Sequence, residues 1–344
     1  MKKQILAVAV AGAFAVPAFA AADSDVTLFG QLQTQIVHHS ASGDGDTFES
    51  GFRQHDAGGL GSASDGAGPN RIGVMVNHDL GNGMTALAKL EGDFRTGAAG
   101  SAGFNSGNRD IYVGLDGNFG RVIAGRMSSS YNTAGKDPLN GTFLQARTNG
   151  ARLGGGPEGG FGNGSYVDRG VRYSNSFGMM SLDLGVFLDN NDDSNTAFSG
   201  RLNFDLGPVD LYVAHVNADD YQGGGVNYDY RNTKIGADWK SGPFRVVGEF
   251  EDADRGGNNM DFQTAFVSGT YSMGRNDFVL NLGMTDADND MDREYVALAV
   301  KHNFSNRVMA FAGVGYTSAD NAAIVPDTGD LSFTGVGGGM RVSF

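Results

Sequence analysis

Residues 84–94 read Met-Thr-Ala-Leu-Ala-Lys-Leu-Glu-Gly-Asp-Phe. Lys89, Glu91 and Asp93 occupy alternate positions of this stretch, with small or apolar residues between them. In an extended chain alternate side chains point the same way, so the three charges share one face. A helix would distribute them around its axis, because it turns once every 3.6 residues. The stretch is therefore predicted to be a β-strand with one apolar and one polar face.

The same two-residue period recurs along the chain, for example at residues 26–36, 198–206 and 244–251. Between such runs, short turns alternate with long polar connections. The short turns lie near residues 81–83, 117–119, 176–178, 207–208, 241–243, 273–275 and 305–307. The long connections lie near residues 39–69, 96–108, 128–168, 190–196, 218–230, 253–260, 286–291 and 319–330.

These turns and connections divide the chain into about 16 strands with short turns at one end and long loops at the other, as in outer-membrane barrels. We therefore predict an all-β fold, a single closed antiparallel transmembrane β-barrel of about 16 strands. The barrel forms one domain over residues 21–344. A soluble protein of two stacked sheets also alternates and is the competing fold, but it gives no reason for the regular exchange of short and long connections.

The composition fits a barrel better than a soluble globule. The chain has 55 Gly, 23 Phe, 11 Tyr and no Cys, with a mean hydropathy of −0.25. Lipid-facing and lumen-facing residues alternate in a barrel, so the average hydropathy stays low while each strand keeps an apolar face. The lack of cysteine excludes disulfides and thiol chemistry. The formal charge of −14 argues against nucleic acid as a partner.

The N-terminus resembles a secretory signal. Two lysines precede an apolar run at residues 5–14, which is too short to span a bilayer, and a small-x-small cleavage site follows at residues 18–20. We predict that residues 1–20 form a cleaved signal peptide. Cleavage after Ala22 is an alternative, because residues 20–22 satisfy the same rule.

The C-terminus reads Met340-Arg341-Val342-Ser343-Phe344, with apolar side chains at alternate positions and a terminal aromatic residue. A free final strand ending in Phe is the pattern by which outer-membrane barrels are recognised for insertion. We predict that Met340, Val342 and Phe344 form this C-terminal assembly signal, through which the barrel-assembly machinery is a partner.

Five segments resemble the trimeric general diffusion porins of Gram-negative bacteria: residues 26–32, 70–74, 109–115, 117–126 and 156–162. The likeness extends over essentially the whole mature chain. It implies a homotrimer in the outer membrane, in contact with lipid and lipopolysaccharide, with the third long loop folded into the lumen. The sequence departs from enteric members at Gln31, where they carry a lysine, and in the basic residues that its third loop mixes with acids.

Charged side chains on the strands are expected to face the lumen, because an arginine on the lipid face costs about 2–4 kcal/mol at the bilayer midplane. By parity and by the resemblance, a wall of strand residues faces acids of the third loop, and together they form the constriction. Ordinary solvated lumen charge is the competing interpretation. The predicted lumen and constriction residues are Arg71, Lys89, Glu91, Arg109, Arg126, Asp137, Glu158 and Arg172.

A diffusion pore needs fixed charges at a narrow place and no catalytic residue. We expect a water-filled channel for passive diffusion of small hydrophilic solutes and ions, with a substrate-specific channel of the same architecture as the alternative. No Gly-x-Ser-x-Gly or His-Glu-x-x-His motif is present, so we expect no enzyme activity, no metal site and no cofactor. The many acids of the long loops predict a weak cation preference at low salt. This preference should fade as salt rises, since the fields of these acids decay over about 8 Å at physiological salt.

Overall fold

The structure is a computed structural model. It describes residues 24–43, 50–56, 60, 70–97, 103–146, 163, 166–189, 195–219, 221–223, 226–229, 231–254, 261–288, 290, 292–323 and 328–344. The predicted signal peptide lies outside these residues. Within them, no helix is long and apolar enough to cross a bilayer.

Extended strands make up most of the described chain. They are β1 (Ser24–Gly43), β2 (Gly51–His55), β3 (Arg71–Gly81), β4 (Met84–Asp93), β5 (Gly103–Gly117), β6 (Gly120–Met127), β7 (Val167–Phe177), β8 (Met180–Leu188), β9 (Thr196–Asp205), β10 (Val209–Asn217), β11 (Tyr221–Gly223), β12 (Val226–Tyr228), β13 (Arg231–Ser241), β14 (Phe244–Asp254), β15 (Phe262–Met273), β16 (Asn276–Ala287), β17 (Arg293–Asn303), β18 (Val308–Ala323) and β19 (Thr328–Ser343). One short 3-10 helix covers Asn132–Ala134.

The strands close into a ring because β1 pairs antiparallel with β3 along one edge and with β19 along the other. Three short strands belong to long connections: β2 pairs with the upper part of β1, and β11 with β12 forms a separate hairpin. The other 16 strands in the described part of the chain form the barrel wall, each antiparallel to its sequence neighbours. The predicted closed antiparallel barrel of 16 strands is confirmed.

The short turns lie where the sequence predicts them. Gly83, Gly178, Gly242 and Gly274 have φ values of 73°, 62°, 55° and 62°, which tight hairpins require and glycine adopts without strain. The long connections are shorter than predicted at several places, since β1 continues to Gly43 and the strands around 319–330 leave only residues 324–327 between them. At this rim the strands still pair but no longer need an apolar face, so alternation fades before the strands end.

Side-chain exposure identifies the two faces of the wall. Ile235 of β13 is 60 % exposed, whereas the preceding Lys234 is 1 % exposed. The same contrast holds on β14, where Phe250 is exposed and its neighbours Glu249 and Glu251 are buried. Apolar side chains therefore cover the outside and polar side chains line the inside, which is the arrangement a lipid-exposed barrel needs.

The chain terminus completes the wall at the seam between β19 and β1. The backbone N–H of Phe344 donates to the carbonyl of Gly30, and the N–H of Gly30 donates to the carbonyl of Phe344, both at 3.0 Å. The aromatic ring occupies the space above Gly30 that a Cβ atom would fill. Met340, Val342 and Phe344 are all exposed on the outer face.

Candidate pore constriction

The third long loop leaves β6 along the inner wall. Ser130 Oγ donates a 2.5 Å hydrogen bond to Asp183, and the N–H of Tyr131 donates to Ser199 Oγ at 3.1 Å. The Tyr131 ring is fully buried in a cluster with Phe187 and other inward-facing residues of β6 to β10. Residues 128–134 are therefore anchored to one side of the barrel interior.

Residues 137–146 then lie against the opposite side. The N–H of Phe143 donates to Gln35 Oε1 of β1 at 2.9 Å, and Lys301 Nζ of β17 donates to the carbonyl of Pro138 at 3.1 Å. Tyr295 of β17 donates to the carbonyl of Leu144. Residues 128–134 contact β8 and β9, and residues 137–146 contact β1 and β17, so the loop runs from one side of the barrel interior to the other.

Asp137 shapes this segment. Its carboxylate accepts hydrogen bonds from the N–H groups of Leu139 at 2.8 Å and Ala146 at 2.7 Å, and from Asn281 Nδ2 of β16 at 2.8 Å. The side chain is buried. In the structure Asp137 thus organises the loop and attaches it to the wall. The other acid predicted for the loop, Glu158, lies outside the described residues.

A buried polar cluster holds the returning limb. Lys234 Nζ donates to Asn163 Oδ1 at 2.5 Å and lies 4.0 Å from the centre of the Tyr131 ring. Asn163 Nδ2 donates to Glu251 at 2.6 Å, and the Tyr131 hydroxyl donates to the same carboxylate. Lys234 and Glu251 are cross-strand neighbours on β13 and β14. One strand pair therefore binds both limbs of the loop.

Across the lumen, Glu91 is the centre of a charged cluster on β3 to β5. Its carboxylate lies 2.5 Å from Arg109 Nε, 2.6 Å from Lys89 Nζ and 3.4 Å from Arg71 Nε. Arg109 also contacts Asp93 at 2.9 Å. A buried carboxylate is tolerated only when it is paired and hydrogen-bonded, and here three basic groups surround it.

A β-bulge explains why Arg109 joins this cluster. Between β4 and β5 the register shifts at Leu90/Gly92, so that two residues of β5 oppose Glu91. Counted from the outward-facing Val113, strict alternation turns Asp110 inward and Arg109 outward, so the parity argument for Arg109 is wrong. The bulge brings Arg109 to Glu91 and Asp93, while Asp110 pairs with Lys89 at 2.7 Å.

Tyr166 contacts two of the predicted arginines. Its ring centre is 5.0 Å from the guanidinium carbon of Arg109 and 5.9 Å from that of Arg126. Burial raises the pKa of the Tyr166 hydroxyl, which keeps the ring neutral. Arg126 also pairs with Asp168 at 2.8 Å. These contacts are cation–π and ionic, and they hold both guanidinium groups near one ring.

Arg172 lies further along the same wall. Its Nε is 3.4 Å from Asp183, and its Nη1 donates to the carbonyl of Ser128 at 2.8 Å. Arg201 approaches the same carboxylate at 3.8 Å. A polar cavity of about 440 Å³, lined in part by these residues, lies beside them and extends to the short-turn end at Gly117 and Gly120.

Two further basic residues were not among the predicted constriction residues. Arg341 Nε donates to Gln33 Oε1 at 2.9 Å, and its Nη2 donates to the carbonyl of Asn140 at 3.3 Å. Lys301 contacts the carbonyl of Pro138. Parity could have identified Arg341, because its neighbours Met340 and Val342 are exposed on the outer face. Only the fold shows that the third loop lies against both residues.

Comparison with known proteins agrees with this architecture. The family model described as "Gram-negative porin" matches residues 7–322. Outer membrane porin protein 32 of Delftia acidovorans is 26 % identical, over 94 % of this chain and 91 % of that protein. A monosaccharide porin of Halomonas sp. is 31 % identical over 40 % of this chain and 37 % of its own. The solved structure of an anion-selective porin from Comamonas acidovorans superposes with a TM-score of 0.77 at 22 % identity, covering 94 % of this chain and 100 % of that one.

The matched family therefore covers almost the entire barrel. A closed wall with an apolar exterior and a charged, loop-crossed interior is what passive movement of small hydrophilic solutes through a membrane requires. The chain belongs to the Gram-negative porin family and is an outer-membrane porin.

Proposed function

We propose that this porin favours small anionic solutes, and that residues 128–146 and the facing wall form the constriction where this preference arises. The observation that carries the proposal is the environment of Arg341 and Lys301. Both side chains donate to neutral oxygens, and within the described residues neither has an ion pair within 4.0 Å. Their charge is therefore available to a passing anion.

Three luminal acids are compensated by contrast: Glu91, Asp183 and Asp238 each lie within 4.0 Å of at least two basic groups. A charge with opposite charges in direct contact contributes less field to the passage than a basic group whose direct partners are neutral oxygens. The anion selectivity named for the Comamonas acidovorans porin is consistent with this preference.

We propose this anion preference in place of the weak cation preference that the sequence predicts, and we assign the cation-attracting effect of the loop acids to the mouth of the pore. The described acids of the long loops, such as Asp288 and Asp290 between β16 and β17, lie at the rim, and their fields are screened as salt rises. Charges inside the narrow passage are screened much less, because low-dielectric walls surround them. We expect the rim to oppose the constriction at low salt and the constriction to dominate at high salt.

Reversal potentials across a planar bilayer under a KCl gradient test the proposal. We expect anion preference that persists as salt increases and that falls about twofold or more in Arg341→Gln or Lys301→Gln. Arg231→Gln is the matched control, since Arg231 lies at the outer rim and pairs with Asp219. Cation preference at high salt, or equal effects of all three substitutions, would contradict the proposal.

We further propose that the porin is a homotrimer in contact with outer-membrane lipid and lipopolysaccharide, and that the barrel-assembly machinery inserts it by recognising Met340, Val342 and Phe344. OmpT of Vibrio cholerae, described in a trimer form, has the same fold at a TM-score of 0.61 and 16 % identity. We expect no enzymatic activity and removal of residues 1–20 on export. Migration as a trimer on an unheated gel, and an N-terminus at Ala21 or Asp23 by mass spectrometry, are the expected results.

A further inference from the structure

Three glycines of the inner wall lie directly under loop side chains, and we call them the glycine floor: Gly313 and Gly315 of β18, and Gly335 of β19. A Cβ atom on Gly315 would lie 2.7 Å from Leu144 Cδ2 and 2.9 Å from Leu60 Cδ1. One on Gly335 would lie 2.6 Å from Leu60 Cδ2. Ordinary carbon contacts are about 3.5–4.0 Å, so an added methyl group requires the Leu60 and Leu144 side chains to shift away from the wall.

Space, and not backbone conformation, explains these glycines. Neither Gly315 nor Gly335 has a φ in the left-handed region, so alanine fits the backbone at both positions. Glycine weakens a strand interior, and its presence there often marks a close approach of another part of the chain. At Gly335 the nearest atoms are side-chain atoms of Leu60 and Phe143 only.

Leu60 belongs to the first long loop, not the third. It is 1 % exposed and packs in one buried cluster with Phe143 and Leu144 of the third loop. The path to it starts in the wall, where β2 pairs with β1 and Gln33 Nε2 donates to the carbonyl of Asp56 at 2.9 Å. Two loops therefore meet on the same patch of the inner wall.

We propose that the glycine floor and Leu60 set the width of the channel. Without side chains on the glycine floor, Leu60, Phe143 and Leu144 pack close to the wall. The distance between these side chains and the wall determines how far residues 139–146 project into the passage. The inference rests on the proposed role of residues 128–146 as the constriction. Gly315, Gly335 and Leu60 act through the loop, so they are positioning residues for the pore.

Gly315→Ala and Gly335→Ala test this inference by single-channel conductance and by liposome swelling with sugars of increasing size. Each added methyl group displaces the packed loop side chains by about 1 Å. We expect conductance to fall about 1.2- to 2-fold, and uptake of the larger sugars to fall more than uptake of the smaller ones, since a narrower passage hinders large solutes first. Gly248→Ala and Gly269→Ala, where nothing lies within 4 Å of the added atom, should match the wild type.

A double variant, in which a second substitution compensates for the first, gives the decisive test. Leu60→Ala removes the side-chain atom nearest to the new methyl group of Gly335→Ala, so the double variant should recover most of the lost conductance. Folding is checked by mobility on an unheated gel, and if Gly315→Ala does not fold, the Gly335 variants decide.

The inference fails if both floor variants conduct like the wild type, or if Leu60→Ala gives no recovery. Deleting residues 140–165 separates this failure from that of the constriction itself. If the deletion raises conductance while the floor variants conduct like the wild type, the third loop is the constriction but the glycine floor does not set its width.

Discussion

Glu91 is 3 % exposed and lies within 3.4 Å of basic groups of Arg71, Lys89 and Arg109. A buried charge of this kind is stable because its partners and hydrogen bonds replace water, and removing one partner leaves the others uncompensated. The carboxylate therefore fixes three basic side chains on one wall. It also reduces the positive field that they present to the passage.

Replacing this carboxylate should change both stability and selectivity. In Glu91→Gln the three basic groups lose a negative charge, so we expect a larger anion preference by reversal potential and a loss of about 3 kcal/mol in stability of the folded barrel. Asp252→Asn, at an exposed position on the outer rim of β14, is the control. An unchanged or reduced anion preference in Glu91→Gln would mean that Glu91 does not oppose the field of the wall.

For single residues, the sequence predicts which face of the wall a side chain lies on better than it predicts which residue it pairs with. Alternation along residues 84–94 places Lys89 and Glu91 on the polar face, and the structure has both in the charged cluster. It could not predict that Arg109 and Asp110 both reach this cluster, because a bulge breaks the alternation there. The hydrogen bonds of Asp137 to the loop backbone depend on a turn that no periodicity reveals.

The final strand closes the barrel through its pairing with β1. The ring of Phe344 fills the space over Gly30, an arrangement in which an aromatic side chain compensates for the missing side chain of a strand glycine. The seam thus combines reciprocal backbone hydrogen bonds with one aromatic contact on the lipid face.

Phe344→Ala should weaken this seam. The backbone bonds remain possible but the contact over Gly30 is lost, so we expect less folded protein in the membrane and a lower temperature at which the folded gel band converts to the unfolded one, by a few degrees. Phe304→Ala, at an exposed turn residue, controls for the loss of an aromatic group. Equal stability and yield in both variants would mean that the Phe344 ring does not stabilise the seam between β19 and β1.

The sequence predicts strands well where they cross the membrane and less well above it. Alternation and glycine turns predict the closed wall and all of its short turns, because lipid on one side and water on the other impose a two-residue period. The rim strands carry no such constraint, which is why the sequence predicts long connections where the structure has β2 and the extensions of β1 and β18. The inward path of Leu60 depends on long-range packing and leaves no local signal.

For the whole molecule, we propose that a water-filled barrel is narrowed by a loop that crosses its lumen. The loop is attached on one side through Tyr131 and on the other through Phe143. Both attachments are to inward-facing residues of the wall, so we expect the loop to narrow the passage.

Planar-bilayer recording of the wild type beside a variant lacking residues 140–165 tests this claim most directly. We predict discrete conductance steps in the wild type and current that rises linearly with salt, as expected for passive diffusion. We also predict a conductance about twofold or more higher in the deletion variant, because a barrel of this size is wide enough for an aqueous channel once the third loop is shortened. Saturation by one solute would favour the substrate-specific alternative instead. A wild type without conductance steps, or a deletion variant with the wild-type conductance, would contradict the account.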